Sequence, residues 1–227
     1  MPSSAAESLT AALGEVADLM AADPTPPGAI PVDPARSRAI ARGCIVLLAG
    51  HLERYVYACN EELVQHINAS AVPGDSLPLP VRLRHTHRII EDIGQTQWDK
   101  RKGGLEELVA SDAWLWSIAA TGAMEPARIL EWMKSPKPKA LQTYFQMWGI
   151  PDIYVSITRQ PHTRADLWLR LASLVDKRNL IAHGDLSVDA TPNDIRQFRD
   201  AVRAFCLRSD GVIARHVSRT MAIASPW

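Results

Sequence analysis

The chain has 227 residues, which at roughly 150 residues per domain suits one domain with an insertion or tail and is too short for a repeat array or a multidomain machine. With 47 % hydrophobic and 22 % charged residues it falls in the globular range, outside the disordered one. Twenty-five basic residues balance twenty-five acidic ones, so no global field draws it onto nucleic acid and any phosphate-binding surface has to be local.

The longest purely apolar run, Cys44 to Ala49, is far short of the ~20 residues of a membrane span, so no membrane partner is expected. The first twenty residues carry Glu7, Glu15 and Asp18 and no Lys or Arg, the reverse of a basic signal-peptide start, and the expected location is the cytoplasm. The three cysteines, Cys44, Cys59 and Cys206, are odd in number and lack CxxC spacing, which points to small core residues rather than disulfides or a thiolate zinc site.

Alternating β-branched runs are absent, while apolar spacings of three and four recur throughout, so the class is all-α. Residues 5–22 read as a short amphipathic helix. Five prolines between Asp23 and Pro34 cannot continue it, which makes residues 1–34 a helix plus linker ahead of a helical domain over 35–227. From Ala35 to Asn68 a stripe of Ile45, Leu48, Leu52, Val56, Cys59, Leu63 and Ile67 predicts the longest helix and the scaffold. The middle is less regular, and a helical insertion is expected over about 97–160. It contains the basic turn Asp99 to Gly104, a Trp-rich helix around Leu105 to Ala120, and the Ser135-Pro-Lys-Pro138 loop.

Apolar periodicity returns from Arg164 to His183, with Leu167, Leu171, Leu174 and Ile181 on one face and Gly184 as the left-handed stop. The last helix opens at Thr191 to Asp194, a hydroxyl, a first-turn proline and an acid spaced as a capping box, and its stripe runs Ile195, Phe198, Val202, Phe205, Val212.

The segment from Asp176 to Gly184 carries chemistry. Arg178 falls on the face expected to be buried, and a guanidinium cannot shed its charge there. It must either pair with a carboxylate or line a cleft that takes an anion. His183, five residues on, lies about 140° away around a straight helix, but a helix ending at His183 frees its direction and the long Arg side chain can reach around the last turn. Asn179 is four residues before His183 and is placed to meet its ring and fix the tautomer. A histidine at the negative end of a helix suits a proton donor.

Arg, Asn and His without a metal-ligand cluster or an activated Ser or Cys point to phosphoester chemistry on RNA. There the 2′-hydroxyl is the nucleophile, histidine moves protons, and arginine stabilises charge on the five-coordinate phosphorus. The products are a 2′,3′-cyclic phosphate and a 5′-hydroxyl, and the reaction calls for no metal and no cofactor. One histidine is poorly suited to be both acid and base, so two chains meeting motif to motif would complete the set. The bland alternative is a helix end with a glycine stop and a structural ion pair.

The sequence Arg178, Asn179, Ala182, His183, Gly184 resembles the Arg-Asn-x-x-Ala-His-Gly form of the Arg-x4-6-His signature of the HEPN superfamily, helical metal-independent ribonucleases of toxin–antitoxin, CRISPR and antiphage systems. The bare spacing is weak, since Arg82 to His87 also satisfies it; the adjacent Asn, the Ala-His-Gly ending and the helical stripe distinguish the second copy. Ala41 to Tyr55 resembles the second helix of the RiboL-PSP-associated HEPN branch. Pro136 to Lys139, through Phe145 to Asp152, resembles that branch's insertion. The resemblance implies a HEPN-like bundle active as a homodimer on RNA, with an antitoxin or other defence-operon protein as a further partner class. It makes Arg178 and His183 the catalytic pair and Asn179 the supporting polar residue. Glu53 on the scaffold helix is the carboxylate chosen to hold Arg178, and His51 beside it is a second supporting candidate, although a satisfied core histidine is the simpler account.

Weaker candidates for RNA contact are Lys177 and the cluster Lys100, Arg101, Lys102, for which a charged turn is the commoner explanation. His85 and His87 sit two apart and form no metal pair; a solvated basic face is expected there. Trp114, Trp116, Trp132, Trp148 and Trp168 can stack bases, but Trp in a helical domain more often belongs to the core or an interface. The same residues also allow a HEPN-like module that binds RNA or protein without cleaving.

Overall fold

The structure, a computed structural model, describes residues 1–23 and 31–227. Among these residues there is no strand, and the helices in chain order are α1 (Ser4–Ala21), α2 (Pro34–Ala69), α3 (Leu79–Gln95), α4 (Lys102–Asp112), α5 (Pro126–Leu130), α6 (Pro138–Met147), α7 (Ile153–Ile157), α8 (Pro161–Ala182) and α9 (Pro192–Met221). The all-α class is therefore the class observed. The expected linker falls mostly on residues 24–30, outside the described residues, and Pro34 already forms the first turn of α2.

The scaffold is α2. Asp33 caps it, its carboxylate accepting from the Ala35 and Arg36 amides at 3.1 and 3.0 Å, and Pro34 supplies a preset first-turn φ. Its 36 residues span about 54 Å. All seven residues of the predicted stripe are buried, each stabilising the fold by about 1.5–3 kcal/mol through removal from water. Helix α1 lays Ala5, Ala6, Leu9, Leu13 and Val16 into the same core. Two carboxylates clamp its first turn: Glu62 of α2 accepts from the Ser4 and Ala5 amides at 3.0 and 2.7 Å, and buried Asp210 of α9 accepts from the Ser3 amide at 3.1 Å and from the Ser3 hydroxyl.

Helix α9 opens on the capping box, with the Asp194 amide donating to Thr191 Oγ1 at 3.1 Å and the Thr191 amide donating back to Asp194 at 2.8 Å. Ile195, Phe198, Val202 and Phe205 are buried; Val212 is only half-buried, and Ile213 takes the core position beside it. Helix α8 buries Leu167, Leu171, Leu174 and Val175, and nothing on it beyond Val175 is fully covered. It ends in a Schellman turn: the Gly184 amide donates to the Ile181 carbonyl and the Asp185 amide to the Leu180 carbonyl, both at 3.0 Å, with Gly184 at φ +84°.

The middle of the chain departs from the sequence reading. The Trp-rich stretch is not one helix: α4 stops at Asp112 and a 3-10 turn covers Ala113–Trp116. Tight packing over that turn is the reason, since Gly74 sits so close that a Cβ there would lie 2.3 Å from the Trp114 carbonyl oxygen. The tryptophans are mostly structural. Trp148 is fully buried, Trp114 and Trp132 pack on the core, and Trp116 and Trp168 keep partly exposed faces.

The solvated basic face expected around His85 is also corrected. His85 is only 2 % exposed, while His87 remains at the surface. Its Nδ1 lies 3.3 Å from Asp112, and its Nε2 accepts the Glu125 amide at 2.8 Å. Arg128 bridges the same two acids at 3.3 and 2.9 Å. A backbone N–H can only donate, so Nε2 is unprotonated and the ring is neutral with its proton on Nδ1. This network joins α3, α4 and α5.

Two outcomes follow from these helix ends and this network. Gly184→Ala places a Cβ in the left-handed region and should cost about 1–2 kcal/mol, lowering the thermal midpoint by roughly 2–8 °C. A scanning-calorimetry midpoint equal to wild type would show that the turn had relaxed. His85 is held below its ordinary value of 6.5, first by burial, against the opposing pull of Asp112. The unfolded chain therefore binds a proton near pH 6.5 that the folded chain refuses, and stability present above that pH is lost as the pH falls below it. Thermal midpoints measured from about pH 7.5 to 5.5 should decline in the wild type and decline less steeply in His85→Asn; equal slopes would assign the effect to another group.

Candidate functional site

The middle of α2 and the last two turns of α8 bring Glu53 and Arg178 together, with Arg178 Nη2 donating to Glu53 Oε2 at 3.1 Å. Both side chains keep 32 % of their surface in contact with solvent. The guanidinium was expected at the centre of a buried face, but the burial of α8 runs out at Val175, so Arg178 stands where the helix leaves the core. Partial hydration keeps the desolvation cost of the two charges small. Nη1 donates to Asn179 Oδ1 at 3.2 Å. Two of the guanidinium's five N–H donors are thus committed, which leaves three for another acceptor.

Asn179 does not meet the His183 ring, as its spacing suggested; its side chain turns to its neighbour Arg178 instead. His183 is the C-cap of α8, with φ −85° and ψ 8°, and is exposed. Its amide closes the helix on Asn179 O at 3.0 Å, and its imidazole has no hydrogen-bond partner among the described residues. Behind it, the chain is fastened in three ways. Asp185 accepts from the Ser187 amide and hydroxyl at 2.8 and 2.6 Å, bonds that hold its carboxyl below the usual carboxylate range. Lys177 Nζ donates to Asp189 O at 2.6 Å, and Arg42 of α2 reaches Leu186 O at 3.4 Å. Lys177 is therefore a tie for this loop, with its charge still at the surface.

His51 is not part of this constellation. Two residues from Glu53 on a helix is a turn of about 200°, which directs it to α1, where its Nε2 lies 4.0 Å from Glu15. Burial pushes its pKa down, with the Glu15 charge pulling the other way. The cluster Lys100, Arg101, Lys102 also lies elsewhere, leading from α3 into the first residue of α4. Arg101 donates to Thr96 O at 2.8 Å and Gly94 O at 3.2 Å and covers the Trp98 ring, so it closes the end of α3, while Lys102 lies 3.6 Å from Glu106. A cavity of about 610 Å³ near the start of α2, lined by Arg38, Cys44, Asp189 and Arg196 among others, contains none of Glu53, Arg178, Asn179 or His183.

Sequence reasoning missed two contacts that flank the pair. Tyr57, one turn beyond Glu53, donates to Met133 O at 3.0 Å; burial, and then the Glu53 charge, push its phenol up. Lys137 Nζ lies 2.7 Å from Asp176 Oδ1, two residues before Arg178. Tyr57 had a signal in its four-residue spacing from Glu53, whereas the Lys137 contact joins segments that no local period connects.

Among the described residues, no group of three or more His, Cys, Asp or Glu side chains is placed to hold a metal ion, and no helix is long and apolar enough to cross a membrane. No curated protein and no solved structure matches the chain. A family model, RiboL-PSP-HEPN, matches residues 9–215, a span that takes in α2, α8 and the Glu53 to Arg178 pair between them. With nine-tenths of its length so matched, the chain belongs to the RiboL-PSP-HEPN family and is a HEPN-type domain.

Proposed function

We propose that the protein is a metal-independent endoribonuclease of the toxin or antiphage-defence kind, active as a dimer. HEPN-type domains are often ribonucleases or RNA-binding domains. The observation that carries the reading is the state of Arg178: it is oriented by Glu53 and Asn179, keeps three N–H donors uncommitted, and lies five residues before an exposed histidine. A purely structural pair gains nothing from that openness.

In the proposed reaction the 2′-oxygen attacks the adjacent phosphorus, the bond to the 5′-oxygen breaks, and a 2′,3′-cyclic phosphate and a 5′-hydroxyl result. Arg178 binds the phosphate and meets its growing charge with preset donors, a role worth roughly 10²–10³ in rate. His183 accepts the 2′-hydroxyl proton or supplies one to the 5′-oxygen, worth roughly 10²–10⁴. A second chain presenting the same motif provides the other half of the proton transfer. Glu53 and Asn179 act as positioning residues through Arg178. An exposed imidazole without an orienting partner also suits a second reading, a HEPN-like module that dimerises and binds RNA or protein without cleaving.

The test uses the full chain and single-stranded RNA in the presence of a chelator. Wild type should release fragments ending in 2′,3′-cyclic phosphate, and His183→Ala should cut at least about 100-fold more slowly with unchanged circular dichroism. Arg178→Lys keeps the charge but loses the planar fork, and should be impaired nearly as much as Arg178→Ala. Since the pair is partly solvated, Arg178→Ala should cost no more than about 1 kcal/mol of stability. RNA left intact by wild type but retarded on a gel would replace the nuclease with the binding module; RNA neither cut nor retarded would remove both.

A further inference from the structure

The loop between α5 and α6 reaches the Arg178 site. It is fastened on both sides of the Glu53 to Arg178 pair: Tyr57 of α2 holds the Met133 carbonyl at 3.0 Å, and Asp176 of α8 holds Lys137 at 2.7 Å. Between and beyond these anchors, exposure alternates. Lys134, Lys137 and Lys139 face solvent while Pro136 and Pro138 are buried, and the Lys137 amide closes a tight turn on Ser135 O at 2.9 Å. The loop is therefore a fixed mount for three ammonium groups.

Lys134 and Lys139 do not serve the fold, and Lys137 serves it only through its exposed pair with Asp176. Lys137 caps α6 without a side-chain hydrogen bond, and Lys139 lies in a first turn that has no acid, so both oppose the helix dipole at the end where carboxylates are favoured. Among the described residues neither Lys134 nor Lys139 has an acidic partner; Glu131 nearby is taken by Arg88 at 3.0 Å. The pair between Lys137 and Asp176 is more than half exposed, a geometry worth little in water. With Lys177 and Arg178, the loop and the end of α8 carry five cations, of which Lys137 is paired with Asp176 and Arg178 with Glu53. In a chain with no net charge, this is a local concentration of positive charge next to the motif.

We propose that the Lys134 to Lys139 loop is the phosphate-binding flank of the Arg178 site, where Lys134 and Lys139 hold the backbone of a single-stranded RNA whose next phosphate is presented to Arg178. This rests on the nuclease reading and adds to it the surface that places the strand. Lysines on phosphates position without reading sequence, so the flank confers affinity and register rather than base preference.

The experiment measures binding and cleavage of a fluorescein-labelled, mixed-sequence oligoribonucleotide by the full chain across a salt series. Lys134→Ala/Lys139→Ala should weaken binding roughly tenfold at low salt and make the slope of log affinity against log salt shallower by about 1.4, since each single-strand contact contributes about 0.7. The KM should rise in parallel while kcat stays within about twofold. The comparison variant Arg36→Ala/Arg38→Ala removes the same charge roughly 30 Å away along α2 and should leave the slope unchanged. If the two double variants lose affinity equally, or the lysine variant keeps the wild-type slope while wild type still cleaves, the flank is overturned and the nuclease stands. If wild type neither binds nor cleaves, both fall.

Discussion

The orientation of the motif depends on one constraint, a guanidinium held by a carboxylate where α8 leaves the core. Adhesion between α8 and α2 does not need it. Leu171 and Leu174 are fully buried on the same helix, and the scaffold stripe beneath them is continuous. A pair of charges as exposed as Arg178 and Glu53 adds about 1 kcal/mol at most, and apolar residues of similar size often do as well or better in such places. What the pair does provide is orientation. Glu53 fixes one nitrogen and Asn179 the other, so the remaining donors point in a set direction at no further entropic cost when an acceptor arrives.

Much of this was legible in the residues because it is governed by local rules. The α2 stripe follows from a 3.6-residue period, the end of α8 from the only residue type at ease with φ +84°, and the start of α9 from a capping box whose atoms lie three residues apart. Where the reading failed, the deciding partner was distant in sequence. Asp112 and the Glu125 amide turned His85 from a surface residue into a buried neutral one, and neither lies within twenty residues of it. The surroundings of His51 were hidden for a different reason: periodicity shows that it opposes Glu53 across the helix, but not that α1 covers that side. Asn179 chose the adjacent guanidinium over the ring four residues on, since a helix that ends at His183 no longer projects that ring along its face.

The middle of the chain, irregular in sequence, is a braced part of the bundle. The His85, Asp112 and Arg128 network ties α3 to α4 and α5, Asn60 and Asn68 of α2 donate to the Pro126 and Met124 carbonyls at 2.9 Å each, and Tyr57 takes the Met133 carbonyl. The bonds from Asn60, Asn68 and Tyr57 end on backbone carbonyls, so they fix the path of the chain whatever side chains it carries there. The loop between α5 and α6 therefore keeps its place relative to Arg178.

Zero net charge gives that placement its importance. A strongly basic nuclease can gather RNA from a distance and tolerate a loosely arranged surface, because its whole field contributes. Here opposite charges cancel beyond the Debye length, about 8 Å at physiological ionic strength, and a phosphate feels only the groups immediately around it. Under the proposed function, recognition of RNA then rests on a few cations at fixed positions close to Arg178. Arg178 gains its position from two hydrogen bonds on α2 and α8, and the loop lysines gain theirs from anchors on those same two helices. A change in the packing of α2 against α8 would therefore move both sets of cations together, so under the proposed function the affinity for a strand and the geometry of the site are linked through one interface.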